Sequence, residues 1–430
     1  MLAGSEFLAI AVILIILVAL VLFITEWLPL PVTAMGVAVS FYLIGAVDAS
    51  TALKSFSSST AMIIAAMAII GESVFKTGGA EQIGQLLTKA SKNERHLVFV
   101  VVLFSGIMSG FLSNTGAAAL LIALILGMCA TTGMKRSKLM YPVIVGCCFG
   151  GGITIVGTTS GPYLKETLEG LNIGQTMSFF EFAPLSLICL VSSAIWLATV
   201  GYNLLPDHPY NEDNFDGNSN QKKDYSDVPK WKRVLSLCLM VGTFLGMIFE
   251  KQIGVPLHFI AIIGAMIAVG SRCLTVKEAA HSIPISGIII YAAMVPVATA
   301  MTNSGAADLI ANGALKVLGS INSPVLILCL IFLIITPLTN FMSNAATIIL
   351  FTPIALVVAE SLGIGPKAIL IAVRFAASIA VVTPVAMPAN SMAVEPGGYR
   401  FMDYVKSGLP LTVICAIESI IYIALFYPLG

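Results

Sequence analysis

Charge is what this sequence has least of. Of its 430 residues, 10% are Asp, Glu, Lys or Arg, and 22 basic residues balance 22 acidic ones. A soluble domain of this size carries about a quarter charged residues, so the solvent for most of this chain is lipid. The zero net charge gives a nucleic-acid partner no electrostatic support. Histidine is equally scarce, and the four, at 96, 208, 258 and 281, are scattered in or near expected loops and form no metal set. The eight cysteines (129, 147, 148, 189, 238, 273, 329 and 415) lie mostly inside apolar runs. They have neither metal-ligand nor secreted-scaffold spacing and read as small packing residues. The first apolar run begins near Phe7 with no Lys or Arg before it, is too long for a simple signal peptide and lacks its cleavage site.

Apolar residues fill the space: 58% of the chain, with a mean hydropathy of +0.97. A spanning helix needs about 20 such residues. Runs of that kind are readable at 7–25, 29–47, 59–75, 139–157, 182–204, 232–250, 256–272, 283–302, 366–388 and 409–428. Residues 97–134 and 322–359 are each long enough for two passes, yet a polar tripeptide interrupts each midway. Polar, helix-breaking backbone at membrane depth is tolerated where it faces protein or a water-filled cavity, so both read as re-entrant hairpins. The expected fold is an all-α polytopic membrane protein of about ten transmembrane helices plus these two hairpins. With the N-terminus outside, sixteen Lys and Arg fall on the inner side and five on the outer. The positive-inside rule then sets the orientation in a cell (inner) membrane, with both termini outside.

The chain also repeats itself. TGGAEQIGQLL, FSGIMSGFLSNTGAAALLIALILGM, GGGITIVGTTSGPYL and FFEFAPLSLI in residues 1–205 find counterparts in residues 232–430. These are SGAADLIANGAL, ITPLTNFMSNAATIILFTPIAL, SIAVVTPVAMPANSM and YRFMDYVKSGLPLTVI, about 230 positions later. An odd number of passes separates the two, so they are expected as inverted repeats with substrate near the midplane between broken helices. The polar stretch 206–231 reads as a cytoplasmic linker.

The hairpin tips, Ser113-Asn114-Thr115 and Ser343-Asn344-Ala345, carry the chemistry. Each ends one half-helix, whose free carbonyls suit a small cation, and begins another, whose free N–H groups and positive dipole end suit an anion. Asn can face either ligand. Ser109 and Thr339 stand one helical turn before the tips, where their hydroxyls can join a cation shell. Gly157-Thr158-Thr159 and Ala386-Met387-Pro388 interrupt a second span in each half, with Gly157 allowing close backbone approach and Pro384 and Pro388 expected to leave carbonyls unpaired. From Leu97 to Met134 and from Asn322 to Ala359 there is no Asp, Glu, Lys, Arg or His, which leaves no titratable group for a proton relay or a catalytic pair. An anion held by such neutral groups is easier to accommodate when cations enter with it. Two charges at membrane depth are left over, Arg374 and Glu418. They read either as a structural pair, with snorkelling of Arg374 as a variant, or with Arg374 attracting anions near the outer mouth. Glu72 and the amphipathic 80–95 segment read as interfacial anchors.

The two SN tips, the TxxxSN run of the second hairpin, the IVG and TPV segments and PGGYRFMDYVKSGLPL at 396–411 resemble the divalent anion:sodium symporter family of the ion-transporter superfamily. The resemblance covers nearly the whole chain. It implies sodium-coupled uptake of a di- or tricarboxylate or related divalent anion by a homodimer working as an elevator, with Na+ co-transported and lipid as the surroundings. Carried over by motif, one sodium site uses Ser109, Ser113, Asn114 and Gly157, and the other Thr339, Met342 through its carbonyl, Asn344 and Ala386. The substrate meets Asn114, Thr115, Thr158, Thr159, Ser343, Asn344 and Pro388. Ala345 and Met387 stand where the family usually has Thr, removing two hydroxyls from one side. Such a hydroxyl contributes about 0.5–1.5 kcal/mol, so a substrate with one carboxylate and a less polar far end fits better than a symmetric one. The alternatives are an anion efflux permease or a sodium/proton antiporter of the same superfamily. An intramembrane enzyme would need a nucleophile with a base, an acidic pair or a His-rich site at membrane depth, and the sequence offers none.

Overall fold

The computed structural model describes residues 2–25, 27–79, 93–132, 134–158, 160–171, 173–207, 228–310, 312, 323–384 and 386–429. Thr159 and, apart from their ends, the 80–95 and 206–231 stretches lie outside them. Among the described residues the regular structure is helical, with no strand. The first half holds α1 (Leu2–Thr25), α2 (Leu30–Leu43), α3 (Ser59–Lys76), α4 (Glu94–Phe111), α5 (Asn114–Thr132), α6 (Arg136–Gly150), α7 (Ser160–Gly170) and α8 (Ala183–Ala198). The second holds α9 (Lys230–Ile248), α10 (Leu257–Gly270), α11 (Ile285–Met294), α12 (Pro296–Ser304), α13 (Pro324–Thr339), α14 (Asn344–Ser361), α15 (Pro366–Ala376), α16 (Pro388–Gly397) and α17 (Phe401–Phe426). Proline opens several of these helices, where its missing N–H costs nothing.

Among the described residues, six helical stretches are long and apolar enough to cross a membrane, and six shorter ones are apolar. Their exposed surface is what lipid requires. On α17, Leu409, Val413, Ile417, Ile421 and Leu425 recur every fourth residue and are each more than half exposed, while Leu411, Cys415, Ser419 and Ile423 are fully buried on the opposite side. The apolar face turned outward marks an integral membrane protein.

The expected spans are present, with three adjustments. The last helix begins at Phe401, well before residue 409, because Asp403 accepts from the Arg400 backbone N–H at 2.7 Å and caps a polar first turn that a hydropathy window does not register. The spans expected at 139–157 and 366–388 are each broken near their middle. α6 stops at Gly150 and the chain resumes as α7, and α15 stops at Ala376 and resumes as α16.

Helix packing follows the internal repeat. α4 packs on α6 as α13 does on α15, and α5 on α6 as α14 does on α15. The contacts between halves come in exchanged pairs, α5 on α16 and α14 on α7. Two direct contacts join residues 230 positions apart: the Cys148 thiol donates to the Ser378 carbonyl at 2.9 Å, and Cys189 Sγ lies 3.9 Å from Ser419 Oγ. Around this core, α1, α2, α3, α9, α10, α11 and α12 pack mainly on one another. They meet the core where α11 and α12 lie on α14, and α3 on α7.

Candidate functional site

Both tips fold alike because both follow the same local logic. α4 ends at Phe111 and α13 at Thr339, and each returning helix starts at its motif asparagine, Asn114 or Asn344. Ser113 Oγ accepts from the Gly116 N–H and Ser343 Oγ from the Ala346 N–H, both at 3.2 Å. Each serine satisfies one N–H of the helix start it precedes. The asparagine side chains turn back toward the incoming helix. Ser109 Oγ lies 2.8 Å from Asn114 Oδ1 and 2.9 Å from the Cys147 carbonyl. Thr339 Oγ1 lies 3.0 Å from Asn344 Oδ1 and 2.6 Å from the Ala377 carbonyl.

A hydroxyl has one proton, so in each triplet it satisfies one acceptor at a time and lone pairs face each other across the remaining contact. Three neutral oxygens short of a proton, at a place without carboxylates, are a fitting shell for a small hard cation. Glycines bring more oxygen close. A Cβ on Gly151 would lie 2.2 Å from Asn114 Oδ1, and one on Gly157 would lie 2.5 Å from the Gly151 carbonyl and 3.1 Å from that of Gly110. Ser109, Asn114 and Gly157 thus share one neighbourhood. Of the second set, Thr339 and Asn344 are joined directly, and Met342 and Ala386 are buried. Ser113 acts as a helix cap.

Of the residues expected at the substrate, Asn114, Thr158, Ser343 and Asn344 are partly buried, while Thr115 and Pro388 are exposed. Thr159 lies outside the described residues. The helix that begins at Asn114 packs on the one that begins at Pro388, and the helix that begins at Asn344 packs on the one that follows Thr158. The residues expected at the substrate in each half therefore sit on or beside elements that pack against the other half.

The broken segment 377–387 departs from expectation. Prolines there were expected to leave carbonyls unpaired, yet side chains from three other elements reach them. Thr336 donates to the Ala376 carbonyl at 3.1 Å, Thr339 to Ala377, Asn340 Nδ2 to Ile379 at 3.0 Å, and Tyr141 OH to Val381 at 2.8 Å. Asn390 Nδ2 serves the carbonyls of Ala380 and Thr383 at 2.9 and 2.8 Å. Asn340 also accepts from the Val382 N–H at 2.9 Å, and Ser391 donates to Pro384 at 2.7 Å. Broken backbone in lipid must be satisfied internally, and Asn340 and Asn390 do this. Sequence reading missed both, although each stands one to four residues from a motif in an otherwise apolar run.

Arg374 and Glu418 do not pair. Glu418 accepts from Ser192 at 2.8 Å and faces Cys189 and Cys415. Arg374 is 3% exposed, so it does not snorkel; its Nη2 donates to Thr158 Oγ1 at 3.1 Å and its Nη1 to Ser378 Oγ.

The sequence profile described as citrate transporter matches residues 20–355, and again 247–429. The chain belongs to the citrate transporter family. Its relatives include the uncharacterized transporter sll0640 of Synechocystis, 24% identical over 96% of both chains. Another is the sodium-dependent high-affinity dicarboxylate transporter 3 of Caenorhabditis elegans, 22% identical over 93% of this chain and 80% of that one. The kinship read from the SN motifs therefore holds. In fold, the citrate transporter family chain is similar to the YdaH transporter of Alcanivorax borkumensis, with a TM-score of 0.64 and 16% identity over 89% of each chain. It is a membrane transport protein and not an enzyme.

Proposed function

We propose that this family member is a sodium-coupled symporter of an organic di- or tricarboxylate or related divalent anion across the inner membrane. The observation that carries the reading is the pair of matched oxygen triplets, Ser109–Asn114–Cys147 and Thr339–Asn344–Ala377, each beside a helix start. A cation among the oxygens and an anion at the helix starts lower each other's cost in a site without charged side chains of its own at the tips. The sodium-dependent dicarboxylate relative supports the same pairing. In this reading, sodium occupies Ser109, Ser113, Asn114 and Gly157 in one half and Thr339, Met342, Asn344 and Ala386 in the other. The anion lies between Asn114, Thr115, Thr158, Thr159, Ser343, Asn344 and Pro388. Residues 1–205 and 232–430 are inverted repeats joined by a cytoplasmic 206–231 linker, both termini are outside, and the hairpins 97–134 and 322–359 are re-entrant. A homodimer carries the core as an elevator within the lipid bilayer.

Reconstituted vesicles test this. Labelled succinate, malate, citrate or sulfate is expected to enter under an inward sodium gradient and not under a potassium one. If all four fail to enter, the substrate assignment falls. Asn114→Ala is expected to abolish uptake while the protein remains monodisperse, and normal uptake by that variant would remove the site.

A further inference from the structure

The core of the molecule contains a permanent charge that the neutral tips do not explain. Arg374 lies at the last turn of α15, 3% exposed, immediately before the broken segment. A guanidinium has five N–H donors and stays protonated. Of these, one goes to Ser378 Oγ, one to Thr158 Oγ1 at 3.1 Å, and Nε has no partner. The helix end beneath it and the Phe182 ring, 5.6 Å from its centre, offset part of the charge. No ion pair between described residues includes it. A second buried polar atom without a partner, Ser186 Oγ, lies on the same side: a Cβ on Gly152 would be 2.2 Å from it and 3.5 Å from Arg374 Nη2.

A buried cation lacking a carboxylate costs several kcal/mol unless a negative group arrives to meet it. We infer that Arg374 is the fixed positive charge of the substrate site, holding the anion's head group to the first half through Thr158. The inference rests on the anion-symport reading above. Arg374 is a positioning residue: its N–H donates to the lone pair of Thr158 Oγ1, which turns the Thr158 hydroxyl proton outward toward the anion. Thr158 Oγ1 also lies 3.2 Å from Ser160 Oγ, whose own proton can fill the second Thr158 lone pair and leave the Thr158 proton for the anion. At the opposite end of the site Ala345 and Met387 stand where hydroxyls would, and the first half supplies no counterpart charge there, since the position 230 residues before Arg374 is Ile144. The charged end of the substrate is therefore the end at Thr158.

The test uses the purified full chain in detergent with sodium, titrated with succinate, citrate and sulfate while thermal stability is followed, and the same anions in vesicle uptake. Arg374→Gln is expected to weaken the stabilising anion about tenfold or more, as loss of a charge-assisted contact does. It should raise KM by a similar factor with Vmax within about threefold, and Arg374→Lys should restore most of the affinity. Thr158→Val should weaken the same anion, and the double variant should be no weaker than the worse single one, because both act on one contact. Unchanged affinity in Arg374→Gln overturns the inference and leaves the symport reading standing. Should that variant not be recovered folded, Thr158→Val decides, and wild-type affinity in it overturns the inference. If no anion of the panel stabilises the wild type, the anion reading fails and this inference with it.

Discussion

At the scale of single residues, the first tip depends on what glycine leaves out. Gly151→Ala would drive a methyl group to 2.2 Å from Asn114 Oδ1, displacing the amide from its oxygen triplet. The expected result is loss of sodium-driven uptake. Gly242, in the exposed middle of α9, has open space where a Cβ would stand, with nothing within 4 Å of it. Gly242→Ala should leave uptake intact and raise stability by about 0.5–1 kcal/mol, as alanine does in a helix interior, measurable by thermal unfolding in detergent. Much of the tip was legible beforehand, because Ser and Asn in a charge-free apolar run stand out against their surroundings. Arg374 was legible as a charge out of place, read either as a partner of Glu418 or as attracting anions near the outer mouth. Its partner is a hydroxyl 216 positions away, and an expectation that intramembrane charges pair with each other pointed instead to Glu418, which takes Ser192.

At the scale of elements, the sequence marks where a helix breaks and not what stabilises the break. Gly157 and the prolines at 384 and 388 located both interruptions, but the donors that satisfy residues 376–384 come from α6, α13 and α16 and are spread over the chain. The Asn340 side chain concentrates this role, giving hydrogen to the Thr336 and Ile379 carbonyls and accepting from the Val382 N–H, while its backbone carbonyl accepts from Thr383 Oγ1. Asn340→Leu should destabilise by about 3 kcal/mol, since it orphans buried backbone groups at about 1–3 kcal/mol each. Ser343→Ala, which removes one cap from α14, should cost about 1 kcal/mol. Thermal unfolding of the two variants side by side checks the ordering, and equal losses would contradict it.

At the scale of the molecule, the surrounding helices meet the core through a carboxylate. Glu166 Oε2, on α7, accepts from Thr60 Oγ1 on α3 and from Tyr291 OH on α11, each at 2.6 Å. Glu166→Gln and Tyr291→Phe both weaken this junction. The expected outcome is a change in Vmax larger than any change in KM, read from sodium-driven uptake. Away from the apolar spans, Glu278 is held to about 2 by the Thr275 backbone N–H and by Lys76, 3.1 Å away. Its ordinary value is 4.5, so the stability it contributes is fully present above that pH and is lost as pH falls toward 2. Being well exposed, the pair contributes modestly. The difference in thermal stability between wild type and Glu278→Gln should hold at neutral pH and vanish in acid.

The hydrogen bonds that satisfy the broken segment also set mechanical limits. Fastened to α6, α13 and α16, residues 376–384 cannot slide past the second hairpin without giving up several bonds in a medium that offers no replacements. Those parts must travel as one stiff body. Any rearrangement that opens the site to alternate sides has to shear along a surface where little is lost, and the junction at Glu166 has two hydroxyls to release.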